Sequence, residues 1–248
     1  MTATTASRIT GWFGIGRTGS SRHRDVGGSS GRAAVLGAGD GLLTNVSLIL
    51  GVAGASPGAA TVRLAGIAGL LAGAFSMAAG ELVSVRAQDE LVQHEVDVER
   101  HEIADDPMLE REELAGMYRL RGVPPADADT VARILMATDV LALDTHARLE
   151  LGVNPLQPGS ANRAAVASFG AFALGALLPL LPWFVLSGAA AVVASVVIAA
   201  VAALVLGWVI GRFSAQSGWR TAVRQLAVGA VAASVTFAVG RLLGGTVA

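Results

Sequence analysis

The sequence predicts an all-α integral membrane protein. It has five transmembrane helices and a small cytoplasmic three-helix insert between the second and the third. Three observations carry this. Hydrophobic residues make up 53% of the 248-residue chain and charged residues only 15%, with mean hydropathy +0.59, whereas a soluble domain is typically about 25% charged. Several apolar runs reach the length of about 20 residues that a helix needs to cross a bilayer. The charge is gathered in one block, 86–162, which holds nearly all the acidic residues.

The elements follow in order. Residues 1–32 are rich in Gly, Ser, Thr and Arg and read as a disordered cytoplasmic tail. They lack the apolar core of a secretory signal peptide. Residues 33–85 hold the first two spans. Span one, about 33–55, contains "VLGAGDGLLTNVSLILGV" and ends at "GASPGAAT", a turn with Pro57. Span two, about 63–85, opens with Arg63, which can snorkel to the interface. Residues 86–162 form the insert. Residues 163–248 hold spans three to five. No charge occurs between Arg163 and Arg212. That run is too long for one span and is broken at "PLLPW", where proline stops the helix and tryptophan favours the interface. Spans three and four are therefore about 164–180 and 184–210. Span five is about 222–243, with Arg224 and Arg241 closing on it from both ends.

Five spans put the termini on opposite faces. Arg8, Arg17, Arg22, Arg24 and Arg32 precede span one, Arg212 and Arg220 follow span four, and Arg224 lies just inside span five. The other face has only Arg63 and Arg241. The positive-inside rule then makes the N-terminus and the insert cytoplasmic and the C-terminus external. Glycines recur four apart at Gly37/Gly41, Gly69/Gly73 and Gly240/Gly244. Such pairs let helices approach closely, as ordinary bundle packing or as a dimer motif. The net charge of −1 gives no reason to expect nucleic-acid binding. With no cysteine, disulfides and thiolate metal sites are excluded.

Within the insert the spacing predicts helices over about 86–104, continuing span two, then 108–121 and 125–151. "ADDP" and "GVPP" separate them. Glu95, Glu99 and Glu102 share one face of the first helix, and His94 and His101 stack beside it. Glu110 and Glu113 are i, i+3 in the second helix; His146 and Glu150 are i, i+4 in the third. Carboxylates facing one another across a bundle repel unless a cation lies between them, and bundles with Glu and His on facing helices hold metal in this way. The alternative is a solvated surface in which Arg100, Arg111, Arg119 and Arg148 pair with the acids at helical spacing. Oxygen and imidazole donors would suit Fe²⁺ or Mn²⁺, and Zn²⁺ is compatible.

Two acids fall within the spans. Asp40 lies one to two turns inside span one, with Asn45 after it. Span two carries Met77 and then Glu81. Ionisable groups in a span usually face the bundle interior or a wet path and mark an ion or proton route. A carboxylate there takes either a proton or a cation, which is the minimal chemistry of an exchanger. The plainer readings are a bundle cap for Asp40, core packing for Met77, and a headgroup position beside Arg86 for Glu81.

Taken together, "GAGDGLLTNVSLILGVAGA", "AGIAGLLAGAFSMAAGELVSV", the acidic insert and "LELGVNP" before a proline-punctuated hairpin resemble the vacuolar iron transporter family over about residues 30–245. The resemblance implies five spans per subunit and a homodimer with the pathway between subunits. It implies transport of Fe²⁺, and often Mn²⁺, out of the cytosol in exchange for protons. It implies no enzymatic activity and no permanent cofactor, only the lipid bilayer, metal ions and protons as partners. By position, the family's span-one aspartate falls on Asp40 and its span-two methionine on Met77. Its cytoplasmic glutamates fall on Glu99, Glu102, Glu110, Glu113 and Glu150. The chain departs from plant members at Gly69, where they carry a glutamate, for which Glu81 would substitute. It departs again at His146 and Ala147, where they carry two methionines. The alternative from another class is a membrane-anchored iron-binding, ferroxidase or metal-buffering protein without transport.

Overall fold

The computed structural model describes residues 29–55, 58–154, 159–214 and 216–247. Residues 1–28 of the predicted tail, with Arg8, Arg17, Arg22 and Arg24, lie outside the described residues, as does Pro57. The described residues form helices α1 (Ser29–Gly54), α2 (Ala59–Asp105), α3 (Pro107–Leu120), α4 (Pro125–Leu135), α5 (Asp139–Leu149) and α6 (Ala161–Leu180). A 3₁₀ turn (Leu181–Phe184), α7 (Gly188–Phe213) and α8 (Gly218–Val247) follow. Among them there is no strand. Five helices are long and apolar enough to cross a membrane: α1, α2, α6 with its 3₁₀ turn, α7 and α8. The fold class is therefore the predicted one.

Helix α1 is the hub of the bundle and packs against α2, α6, α7 and α8, most extensively against α6. The close approach depends on glycine. A Cβ at Gly41 would overlap the backbone of Phe172 on α6, and one at Gly240 on α8 would overlap the backbone of Gly51. All three glycine pairs pack against neighbouring helices of the same chain, which is the ordinary-bundle reading.

Helix α7 has the pattern that lipid demands. Ala191, Ser195, Ala199, Ala203, Gly207 and Gly211 are buried, while Val193, Val197, Val201 and Val205 are exposed. Small residues face the protein because close packing, not hydrophobic exclusion, joins helices in a bilayer. The valines are left for acyl chains. Trp208 and Arg212, stacked 5.7 Å apart, mark the end of this helix.

Helix α2 is unbroken for 47 residues, about 70 Å at 1.5 Å per residue. It spans the roughly 30 Å hydrocarbon layer and continues as the first helix of the insert, as the sequence predicted. Asp89 Oδ1 accepts from Gly159 N at 3.1 Å, tying this extension to the chain that leads back into α6. The turn into α3 is set by Asp106, whose carboxylate accepts from Leu109 N at 3.0 Å, and by Pro107 at the first helical position. Gly122, at φ +90°, and the prolines after it separate α3 from α4.

Three expectations are corrected. The predicted third insert helix, 125–151, is two helices: α4 stops at Leu135 and α5 starts at Asp139. Thr138 is extended, and its hydroxyl accepts from Leu141 N at 3.4 Å as an N-cap. The insert therefore has four helical segments; a core of Leu114, Ala115 and Ala132 joins α3 to α4, with Leu149 of α5 packed against it. Residues 29–32 of the predicted tail are the first turn of α1, because nothing in Ser-Ser-Gly-Arg stops a helix already propagating from Ala33. Span five belongs to a longer helix, α8, that extends past both arginines at its ends.

Candidate metal centre

The extension of α2 presents Val85, Val96, Glu99 and Ile103 on its buried side. The spacing of 3 to 4 residues, or a multiple of a turn, puts them in one stripe. Glu99 is the odd member, a carboxylate on an apolar face, and only 3% of it is exposed. Across from it, α3 contributes Glu110 (6% exposed) and α5 contributes His146 (0%). His146 Nδ1 lies 2.8 Å from Glu99 Oε1, 3.7 Å from Glu110 Oε2 and 3.8 Å from Glu150 Oε2. One donor atom each from Glu99, Glu110 and His146 fall within 4.8 Å of one another.

Close as they are, these groups satisfy each other only in part. Glu99 Oε1 has no partner but His146 Nδ1, and His146 Nε2 is buried without a hydrogen-bond partner. Each such group costs about 1–3 kcal/mol if nothing else meets it. The electrostatics say the same. Glu99 is pushed up from the usual carboxylate value to about 7, first by burial and then by Glu150, Glu110, Glu102 and Glu113. Glu110 is raised by burial and then by Glu113, Glu102, Glu150 and Asp106. Burial lowers His146, against the pull of Glu150 and Glu113. Carboxylates around a neutral imidazole form a centre that calls for a proton or a cation.

The arginines do not supply that cation. Arg100 pairs with Asp97, Arg119 with Glu112 and at 3.8 Å with Asp129, and Arg148 with Asp144 at 2.9 Å. Among the described residues none of them forms an ion pair with Glu99, Glu102, Glu110, Glu113 or Glu150. The arginine pairs therefore go to outward acids, while Glu99 and Glu110 are buried away from them.

Of the predicted ligands, Glu99, Glu110 and His146 converge. Glu150, at the C-terminal cap of α5, stands at the rim with 38% of its side chain exposed. Glu102 and Glu113 are exposed but close enough to raise Glu99. Glu95 is exposed and outside the cluster, because it lies a full turn before Glu99, above the point where α3 and α5 meet α2. His94 and His101 are exposed too, and His101 Nδ1 contacts the carbonyl of Asp97 at 2.6 Å.

In the spans, Asp40 is exposed at the surface of the single chain. Thr44 is exposed beside it, and Ser47 follows with a buried, unpartnered hydroxyl. Asp40 is a predicted residue; Thr44 and Ser47, which continue its i, i+4, i+7 stripe in "DGLLTNVS", are not. Asn45, also predicted to line the path, lies inside the bundle, where its Oδ1 has no hydrogen-bond partner. It is fully buried, and its Nδ2 donates to Ala176 O of α6 at 2.6 Å, so it ties two helices together. Met77 packs against the buried Ala74, Phe172 and Ala176, the core contact that a lone methionine usually makes. Glu81 is half-buried.

Comparison with known proteins agrees with this architecture. A family model described as "VIT family" matches residues 31–241. The chain is similar to vacuolar iron transporter 1 of Arabidopsis thaliana, 32% identical over 213 residues, 86% of this chain and 85% of that relative. It is 31% identical over 207 residues to vacuolar iron transporter 1 of Eucalyptus grandis, covering 83% of each. Against a vacuolar iron transporter of Acanthamoeba castellanii it is 39% identical over 162 residues, 64% of this chain and 58% of the relative.

Proposed function

The chain belongs to the VIT family, and from that premise we propose that it is a membrane transporter that exports Fe²⁺, and Mn²⁺ with it, in exchange for protons. The observation that carries the reading is the buried Glu99–Glu110–His146 cluster, whose donor atoms converge within 4.8 Å and face only one another, with no arginine paired to them among the described residues. A transporter with a capture site needs such a centre, since buried donors without a partner are a standing cost that an arriving ion removes.

In this reading Glu99, Glu110 and His146 take the ion from the cytosol, with Glu102, Glu113 and Glu150 drawing it in. Asp40, Met77 and Glu81 then carry it through the membrane. Met77 lies 22 residues before Glu99 on the same helix, about 33 Å along its axis. One rigid element therefore reaches from capture to pathway. Asp40 is open at the surface of one chain. Facing lipid, a carboxylate costs roughly 3 kcal/mol on insertion scales. A second copy laid against this face would enclose it in a polar crevice, which favours a homodimer. The N-terminus and the insert lie in the cytosol and the C-terminus outside. Protonation of Asp40 from the acidic side expels the ion, so a gradient acid on the far side drives export.

The test is uptake into proteoliposomes with an acidic lumen and the insert outward. Fe²⁺ is added outside, and Asp40→Ala is compared with the unsubstituted chain. Metal should accumulate with the unsubstituted protein and stay near background with the variant. Equal accumulation by both removes the pathway. Binding without accumulation by either would favour the membrane-anchored metal-binding protein instead.

A further inference from the structure

The carboxylate cluster contains a single donor that is not oxygen. His146 Nδ1 faces Glu99 Oε1 at 2.8 Å, Glu110 Oε2 at 3.7 Å and Glu150 Oε2 at 3.8 Å. The ring is fully buried; Nδ1 is turned to these carboxylates and Nε2 has no hydrogen-bond partner. An ion bound at 2.0–2.2 Å holds adjacent nitrogen and oxygen donors about 3.0–3.5 Å apart, and each of the three separations lies a few tenths of an ångström outside that range, one shorter and two longer. The imidazole therefore has the position of a ligand. A helix-stabilising histidine would spend a nitrogen on a backbone carbonyl, whereas the contacts of this one are all to carboxylates of the cluster.

We infer that His146 sets which divalent ion the centre prefers, steepening the order Mn²⁺ < Fe²⁺ < Co²⁺ and strengthening Zn²⁺ relative to Mn²⁺. The inference rests on reading the cluster as a capture site. Its physical basis is the ligand chemistry. Carboxylate and carbonyl oxygens suit Mg²⁺, Ca²⁺ and Mn²⁺, whereas imidazole suits Zn²⁺, Fe²⁺, Ni²⁺ and Cu²⁺. Glu99, Glu110 and Glu150 alone would make an all-oxygen site with shallow discrimination. One buried nitrogen adds binding strength unevenly, most for the later metals and least for Mn²⁺, and nothing for Ca²⁺ or Mg²⁺. His146 thereby determines specificity, while Glu99 and Glu110 supply the charge that any divalent ion needs.

The experiment titrates the full-length protein in lipid nanodiscs separately with Mn²⁺, Co²⁺ and Zn²⁺, comparing the unsubstituted chain with His146→Gln and Glu99→Gln. His146→Gln should weaken Zn²⁺ and Co²⁺ by about tenfold or more and Mn²⁺ by less than about threefold. Glu99→Gln should weaken all three. An equal loss for all three ions in His146→Gln, or no loss, overturns the inference and leaves the capture site standing. An unsubstituted protein that binds none of the ions takes both readings down. A measurement on the unsubstituted chain guards against a misfolded variant. With one equivalent of Mn²⁺, pulsed electron paramagnetic resonance should detect nitrogen coupling from one imidazole. Bound Mn²⁺ without that coupling overturns the inference.

Discussion

Glu99 gathers the effects that act at the scale of a single residue. Its carboxyl titrates at about 7 in the folded chain against an ordinary 4.5, so between those values the folded state holds a proton that the unfolded state has lost. Stability from this group therefore falls as pH rises through that window, the reverse of a salt-bridged acid. The full difference is about 3 kcal/mol. His146, lowered by burial, acts in the opposite sense as pH falls below its ordinary value. The comparison that isolates Glu99 is thus the difference between the unsubstituted chain and Glu99→Gln. Denaturant unfolding of the metal-free protein should find the variant more stable at pH 8, with the advantage fading by pH 5. A constant difference at both pH values would mean that Glu99 is not buried as described. The same proton competes with the ion. Calorimetry in buffers of different ionisation enthalpy should detect proton release on metal binding near pH 6, declining as pH rises past 7.

At the scale of the element, close helix contact is the feature most exposed to test. Gly41 of α1 meets the backbone of Phe172, which cannot rotate aside, whereas a Cβ at Gly170 on α6 meets nothing within 4 Å. Gly41→Ala should destabilise the bundle by about 1–3 kcal/mol through overpacking, while Gly170→Ala should be neutral or gain up to about 1 kcal/mol of helix propensity. Unfolding in mixed detergent micelles measures both, and equal effects would refute the α1–α6 packing. Gly69 differs: a Cβ there would meet the tip of the Leu48 side chain, with Asn45 Oδ1 beyond it, so a larger residue needs Leu48 to turn aside. The helices were legible because apolar length, the "DDP" stop and the "GVPP" stop are local signals. The break at Thr138 was legible in principle, since Thr-Asp is an N-cap followed by an acid in the first turn. Periodicity across it hid the cap. The convergence of Glu99, Glu110 and His146 was legible only as three separate stripes. Which members meet depends on the angles at which α3 and α5 cross α2, and no residue spacing encodes those. For that reason Glu95 and Glu99, equal in the sequence, part company in the fold.

The whole molecule divides into an apolar bundle and a charged insert joined by one continuous helix, and this division fixes what a protease can reach. Every basic residue is arginine, so each tryptic site is an arginine. Those in the insert, including Arg111, Arg121 and Arg133, sit on or beside the helices that surround the candidate metal centre or adjoin them. Two consequences can be read in one experiment. The first concerns orientation: in sealed inside-out vesicles trypsin should cleave within the insert, and in right-side-out vesicles those sites should be protected. The reverse pattern would invert the proposed topology and with it the direction of export. The second concerns coupling between metal and fold. An ion that binds the folded insert but not the unfolded one stabilises it by about 2.7 kcal/mol at a hundredfold excess over the dissociation constant. Cleavage that needs local opening should then slow by roughly a hundredfold, at Arg111 in particular, since α3 carries Glu110. Arginines outside the insert should be cut at an unchanged rate with and without metal. Slowing at all sites alike would mean that the ion acts on the protease, and no slowing at all would mean that the cluster stays open whether or not metal is present. Only protection confined to the insert follows from an ion that closes Glu99, Glu110 and His146 around itself while the membrane bundle stays as it was.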